Sequence, residues 1–133
     1  MLIFFLLSAP VFANIKIVSI FPNPETDAKS NEFIELKNLG CESVDLSAYF
    51  LKKQETKNPT SLSGTLAPGE SRKFYRANGG LVLKDDDDTI SLVSKDGEII
   101  DKIQYTKNNA QKGNILTFSH EADKCDSDVE KHD

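Results

Sequence analysis

The chain has no tryptophan, only two cysteines, and only two histidines. Without Trp it lacks the Cys–Trp–Cys core that marks antibody domains. No apolar run reaches the roughly 20 residues that a membrane-crossing helix needs. No stretch repeats apolar residues at the helical period over a useful length, so a helical bundle is excluded. Lys and Arg number 16 against 21 Asp and Glu, giving a formal net charge of −5 without a basic stripe. That balance argues against a dedicated nucleic-acid binder; it favours solubility and divalent cations. Gly-rich phosphate loops and nucleophile elbows are also missing.

What is there begins with Met-Leu-Ile-Phe-Phe-Leu-Leu-Ser-Ala-Pro-Val-Phe-Ala, residues Met1 to Ala13. The apolar run ends in Val11-Phe12-Ala13, a small-x-small pattern suited to signal peptidase. The expectation is a signal peptide over 1–13, cleavage between Ala13 and Asn14, and export to the periplasm or the cell exterior. The charged n-region is missing, which is consistent with a start upstream of Met1. The same run also reads as a buried core strand. Every charged residue follows Ala13, so cleavage leaves the net charge unchanged. After cleavage nothing remains that would make an integral membrane protein.

From Asn14 onward the pattern is short strands. Asn14 to Ile20 is the first, with its apolar residues changing face between Ile17 and Val18, as at a bulge. Asn31 to Phe50 reads as strand, turn, strand. Glu32, Ile34 and Leu36 share one face, and Phe33, Glu35 and Lys37 share the other. Asn38-Leu39-Gly40 is turn chemistry, because Asn and Gly accept positive φ. Ser61 to Leu66 and Ser71 to Arg76 are further strands, with Ala67-Pro68-Gly69 as a turn between them. Thr89 to Ser94 and Ile99 to Tyr105 flank Asp96-Gly97, a strong hairpin signal. Ile90 and Leu92 face inward, and Ile99, Ile103 and Tyr105 share a face. About seven strands at roughly 8–12-residue spacing predict an all-β antiparallel sandwich. Residues 14–118 form the domain, and 119–133 are a charged tail expected to be disordered unless Cys125 pins it.

The run Glu32-Phe33-Ile34-Glu35-Leu36-Lys37-Asn38, then Val44-Asp45-Leu46-Ser47, Leu66-Ala67-Pro68-Gly69, Asp88-Thr89-Ile90-Ser91-Leu92 and Asp96-Gly97-Glu98-Ile99-Ile100-Asp101 to Tyr105 resembles the lamin tail domain family. The resemblance covers about Asn14 to Thr106. It implies an immunoglobulin-like antiparallel β-sandwich and an interaction module without catalytic residues. In nuclear lamins such a domain follows a coiled-coil rod; in bacteria and archaea similar domains occur in exported proteins, alone or beside nucleases and other hydrolases. This chain shows no heptad rod, basic localisation run or prenylation box, and Tyr49-Phe50 stands where many members carry Trp. The resemblance therefore implies a stand-alone exported member whose partner is a protein or an envelope or matrix polymer.

Several residues are candidates for chemistry. Asp85, Asp86, Asp87 and Asp88 repel one another, which a calcium ion would relieve through oxygen ligands; the alternative is a solvated turn with Asp88 leading the next strand. Cys41 and Cys125 either pair as a disulfide, tying the tail to the turn after the second strand, or remain two thiols. A nucleophilic or metal-binding cysteine is a further reading. Glu32 and Glu35 are three apart and so on opposite faces of a strand, which separates them as an acid/base pair. His120, Cys125 and His132 lie among acids but lack zinc-site spacing. Lys52, Lys53 and Lys57 suit an exposed sheet edge; with Arg72, Lys73 and Arg76 they offer a basic face for an anionic polymer. No catalytic residue and no bound cofactor other than calcium is expected. The functional alternatives are an interaction domain, a calcium-dependent adhesion or stability module, and an accessory domain of a secreted hydrolase or nuclease.

Overall fold

A computed structural model of the protein describes residues 13–54 and 59–126. The expected leader up to Phe12, Lys57 and His132 lie outside the described residues. β1 spans Ile15–Phe21, and the four-residue helix α1 (Ala28–Asn31) leads into β2, Phe33–Asn38. Val44–Asp45 (β3), Tyr49–Lys53 (β4), Thr60–Ser61 (β5), Thr65–Leu66 (β6) and Ser71–Tyr75 (β7) follow. The described chain ends with Asp88–Ser94 (β8), Ile99–Tyr105 (β9) and Leu116–Thr117 (β10). One four-stranded sheet has the order β10-β1-β2-β7, the other β5-β4-β8-β9, and β3 and β6 form a separate two-stranded piece. Every strand pairing is antiparallel.

Ile15, Ile17 and Ile20 of β1, Ile34 and Leu36 of β2, Leu51 of β4 and Ile90 and Leu92 of β8 are buried between the two large sheets. Alternation at period two places them there, and burial of such side chains contributes about 1.5–3 kcal/mol each. The β1 register jumps between Ile17 and Ser19, so the face change read from Ile17-Val18 is a β-bulge. The Asp-Gly hairpin joins β8 to β9, with Gly97 at φ 84°. Gly69 likewise takes φ 81° in the Ala-Pro-Gly turn.

Three sequence expectations change. Among the described residues ten strands form where about seven were expected, because the stretch from Val44 divides into β3 and β4 around a 3-10 turn at Leu46–Ala48, Ser61 to Leu66 divides into β5 and β6 in different sheets, and Leu116–Thr117 joins β1 as an edge strand. The Asn31–Phe50 stretch is not a hairpin: β2 pairs with β1 and β7, while β3 pairs with β6 and β4 with β5 and β8. The chain crosses between sheets there, and neither Asn38 nor Gly40 takes positive φ. Lys52 and Lys53 lie on β4 and pair with β8 on one side, while on the other side the two-residue β5 reaches only Phe50 and Leu51. Ile99 is 60% exposed rather than inward, because the β8–β9 register shifts at Leu92/Val93 and turns the half-buried Ile100 towards the core instead.

The two bulges meet. The Asp101 carboxylate of β9 accepts the Ile17 N–H of β1 at 2.8 Å. Lys16 Nζ donates to the Ile100 carbonyl at 3.5 Å. An amide displaced from its ladder by a bulge needs another partner, and here the opposite sheet supplies it. Replacing Asp101 with Ala is expected to cost about 1.5–3 kcal/mol, the range for a hydrogen bond to a charged group. Urea unfolding checks this as a lower midpoint with unchanged slope, and hydrogen exchange as faster loss of the Ile17 amide.

Candidate functional site

The disulfide end of the sandwich is built where β2 leaves its sheet. Cys41 and Cys125 are bonded, with Cα atoms 5.5 Å apart and 84 residues between them. The bond pins the C-terminal segment at Cys125, the condition under which that charged segment was expected not to be free. The segment runs along β1 and over the crossing: the Phe118 N–H donates to Val18 O at 2.9 Å, His120 Nε2 donates to Ile17 O at 3.2 Å, and the Asp123 N–H donates to Leu39 O at 2.8 Å. Asn14, beside the expected cleavage point, accepts the Leu39 N–H at 2.7 Å and donates to Asp123 at 3.0 Å. Ala13, Asn14, Glu42, Asp45, Tyr49 and Asp123 help to line an open cleft of about 610 Å³. The Ser47 N–H holds the Asp45 carboxyl below its usual range, and burial raises the Tyr49 hydroxyl.

The opposite feature is the loop between β7 and β8. Leu81 and Leu83 sink into the core while Val82 stays exposed. Glu32, only 2% exposed, accepts the Leu83 N–H and lies 3.5 Å from the Arg76 guanidinium. Burial raises the Glu32 carboxyl, opposed by the Leu83 amide and Arg76 and reinforced by Asp85. The Tyr105 hydroxyl donates to Lys84 O at 2.8 Å, and burial, then the Asp88 charge, raise it.

The four aspartates do not act as one group. Asp85, Asp86 and Asp87 are exposed and Asp88 is buried at the start of β8. Asp86 accepts the Asp87 N–H at 2.8 Å, Asp87 the Lys107 N–H at 2.7 Å, and Asp88 Oδ1 the Thr89 N–H at 2.8 Å. Among the described residues the buried Asp88 Oδ2 has no hydrogen-bond partner. Among the described residues no three acids, histidines or cysteines come together to hold a metal.

The other candidates are dispersed. Glu35 faces outward and accepts the Ser19 hydroxyl at 2.6 Å, away from Glu32. Cys125 is consumed by its disulfide, which removes it as a thiolate for His120. Arg72 pairs with Glu70 at 3.2 Å, Arg76 with Glu32, and Lys73 sits 4.6 Å over the Phe33 ring. Lys52 and Lys53 belong to the other sheet. Sequence reading missed Asn38 and Asp101 as structural polar groups. The signal was available: Asn38 continues the inward period of Glu32, Ile34 and Leu36, and a polar residue there must be bonded.

A family model described as Lamin Tail Domain matches residues 8–107. The chain belongs to the lamin tail domain family. Its all-β antiparallel architecture is that of an immunoglobulin-like sandwich. The matched span runs through β9, so β10 and the segment fastened by Cys125 lie beyond it in this lamin tail domain. No curated protein matches the chain.

Glu32 gives the domain a testable pH response. Its folded carboxyl lies above the ordinary 4.5, so its favourable contribution is full below that value and is lost as pH rises through the folded one. Gln at this position keeps an acceptor for Leu83 and cannot ionise. The stability of the native protein relative to Glu32→Gln is expected to fall as pH rises from 4.5 through the raised folded value. Urea unfolding across that range checks this; parallel profiles would contradict it.

Proposed function

We propose that this lamin tail domain is a non-enzymatic interaction module working outside the cytoplasm, where it holds a protein or an envelope or matrix polymer through loops or an exposed strand edge. The carrying observation is that Glu32, Glu35, Asp86, Asp87 and the described candidate histidine, His120, each bond a separate group of the fold. Glu32 bonds Leu83, Asp87 bonds Lys107 and His120 bonds Ile17. A catalytic pair needs to converge on one reacting atom, and these groups serve separate backbone positions. The Cys41–Cys125 bond supports the compartment, since such bonds persist where conditions are oxidising. Among the described residues no helix is long and apolar enough to cross a membrane.

One observation favours a second reading, a calcium-dependent adhesion or stability module: the buried Asp88 Oδ2 has no hydrogen-bond partner among the described residues. The backbone bonds already made by Asp86 and Asp87 favour the first. Purified protein is expected to be retained by an envelope or matrix fraction equally with calcium and with a chelator, without turnover of bound material. Retention lost in chelator and in Asp88→Asn would transfer the conclusion to the calcium module. Turnover by the protein alone would overturn both.

A further inference from the structure

The two sheets close differently on their two sides. On the β1–β9 side, Asp101 and Lys16 tie the two sheets together and the C-terminal segment runs along β1. On the other side β7 ends its sheet, and among the described residues no strand pairs with its outer edge. The bonding phase of that edge follows from its flanks. The Arg76 N–H donates to Glu32 O at 2.9 Å, and the Asn38 N–H donates to Glu70 O at 3.0 Å. In an antiparallel ladder the bonded pairs alternate, so Arg72 and Phe74 turn their backbone groups to β2, and Ser71, Lys73 and Tyr75 turn theirs outward. The Tyr75 carbonyl is taken by the Gly80 N–H at 3.1 Å. Both backbone groups of Ser71 and of Lys73, and the Tyr75 N–H, have no partner among the described residues.

We propose that this edge of β7 is a strand-acceptor site whose occupant is an extended polypeptide segment carrying carboxylates. It deepens the interaction-module reading and rests on it. Outward N–H and C=O groups at alternate residues match the backbone of an added strand, the basis of recognition by β-augmentation. A hollow of about 120 Å³ lies beside the edge, bounded by Phe74 and Tyr75 on one side and Thr60 to Ser63 on the other. It gives room for a side chain of the incoming strand. The charge selects the occupant. Of the cations in Ser71 to Arg76, Arg72 pairs with Glu70 and Arg76 with Glu32, whereas Lys73 lies over the Phe33 ring with no ion pair among the described residues. Pairing β7 with β7 of a second copy about Lys73 would set the two lysines against each other, which is unfavourable for opposed like charges. A segment with a carboxylate opposite Lys73 meets it favourably.

The test titrates the isotopically labelled full chain with two synthetic peptides, acetyl-Glu-Val-Glu-Val-Glu-Val-Glu-amide and its counterpart with Lys for Glu. The acidic peptide is expected to shift the Ser71, Lys73 and Tyr75 amides and slow their hydrogen exchange, and the basic peptide is not. Lys73→Pro removes an outward donor without touching the β2 ladder, as proline can on an edge; it is expected to weaken the acidic peptide about tenfold or more. Ser71→Pro repeats the loss without changing charge, should Lys73→Pro fail to fold. Lys73→Met keeps the donor and is expected to weaken binding less than Lys73→Pro. Unchanged exchange at the three amides, shifts centred elsewhere, or equal response to both peptides would overturn the proposal. Protection of these amides without peptide, growing with protein concentration, would assign the edge to a second copy and also overturn it. Envelope retention persisting after such a failure would leave the interaction-module reading standing and remove only this site.

Discussion

The rest of the domain depends on one buried side-chain amide. Asn38 is fully buried at the point where β2 leaves its sheet. Its Nδ2 donates to Glu42 O at 2.7 Å and to Leu66 O at 3.0 Å, and its Oδ1 accepts the Gly40 N–H at 2.9 Å. Its own backbone bonds Glu70 and Gly69. One residue thus satisfies the crossing segment, the turn before β7 and strand β6. A buried amide with its two donors and its oxygen all engaged fixes a single arrangement of its surroundings, whereas any one group left unpaired would be costly. Leu39, next in sequence, extends the same junction to Asn14 and Asp123, and Cys41 adds the covalent link to Cys125.

That junction explains the asymmetry of the molecule. With the crossing fixed, the C-terminal segment can lie along β1, and Asp101 can reach the bulge from the second sheet. These contacts cover one side of the sandwich with bonds to backbone atoms. The buried Glu32 does similar work at the loop after β7 by holding Leu83 and Arg76. The polar residues that look most chemical in this chain thus mainly satisfy displaced backbone groups. The outer edge of β7 keeps backbone groups with no partner among the described residues.

Much of the fold was legible in the sequence because period-two alternation directly encodes which side chains face inward. Ile34, Leu36, Ile90 and Leu92 are buried as that period requires, and Ala67-Pro68-Gly69 and Asp96-Gly97 turn as their chemistry demands. Strand partners were less legible. Asn38-Leu39-Gly40 has the composition of a tight turn, yet the chain crosses between sheets there, a choice made by tertiary bonds to Leu66 and Glu70. Ile99 was misplaced because a bulge shifts the period by one residue, and local sequence does not announce it. The tail looked free by composition unless Cys125 pinned it, because it is held by one covalent bond and a few backbone contacts rather than by apolar burial. The aspartate run looked like a unit because neighbours in sequence were read together; the start of β8 separates Asp88 from the other three.

The most direct measurement is urea unfolding of Asn38→Ala and Asn38→Asp beside the native protein. Ala leaves two carbonyls and one N–H without their side-chain partner, and Asp sets acceptors against those carbonyls. The expected loss is roughly 3 kcal/mol or more for either variant, with Asp at least as damaging as Ala. A loss below about 1 kcal/mol would contradict the account, since a single ordinary hydrogen bond would then suffice to describe Asn38.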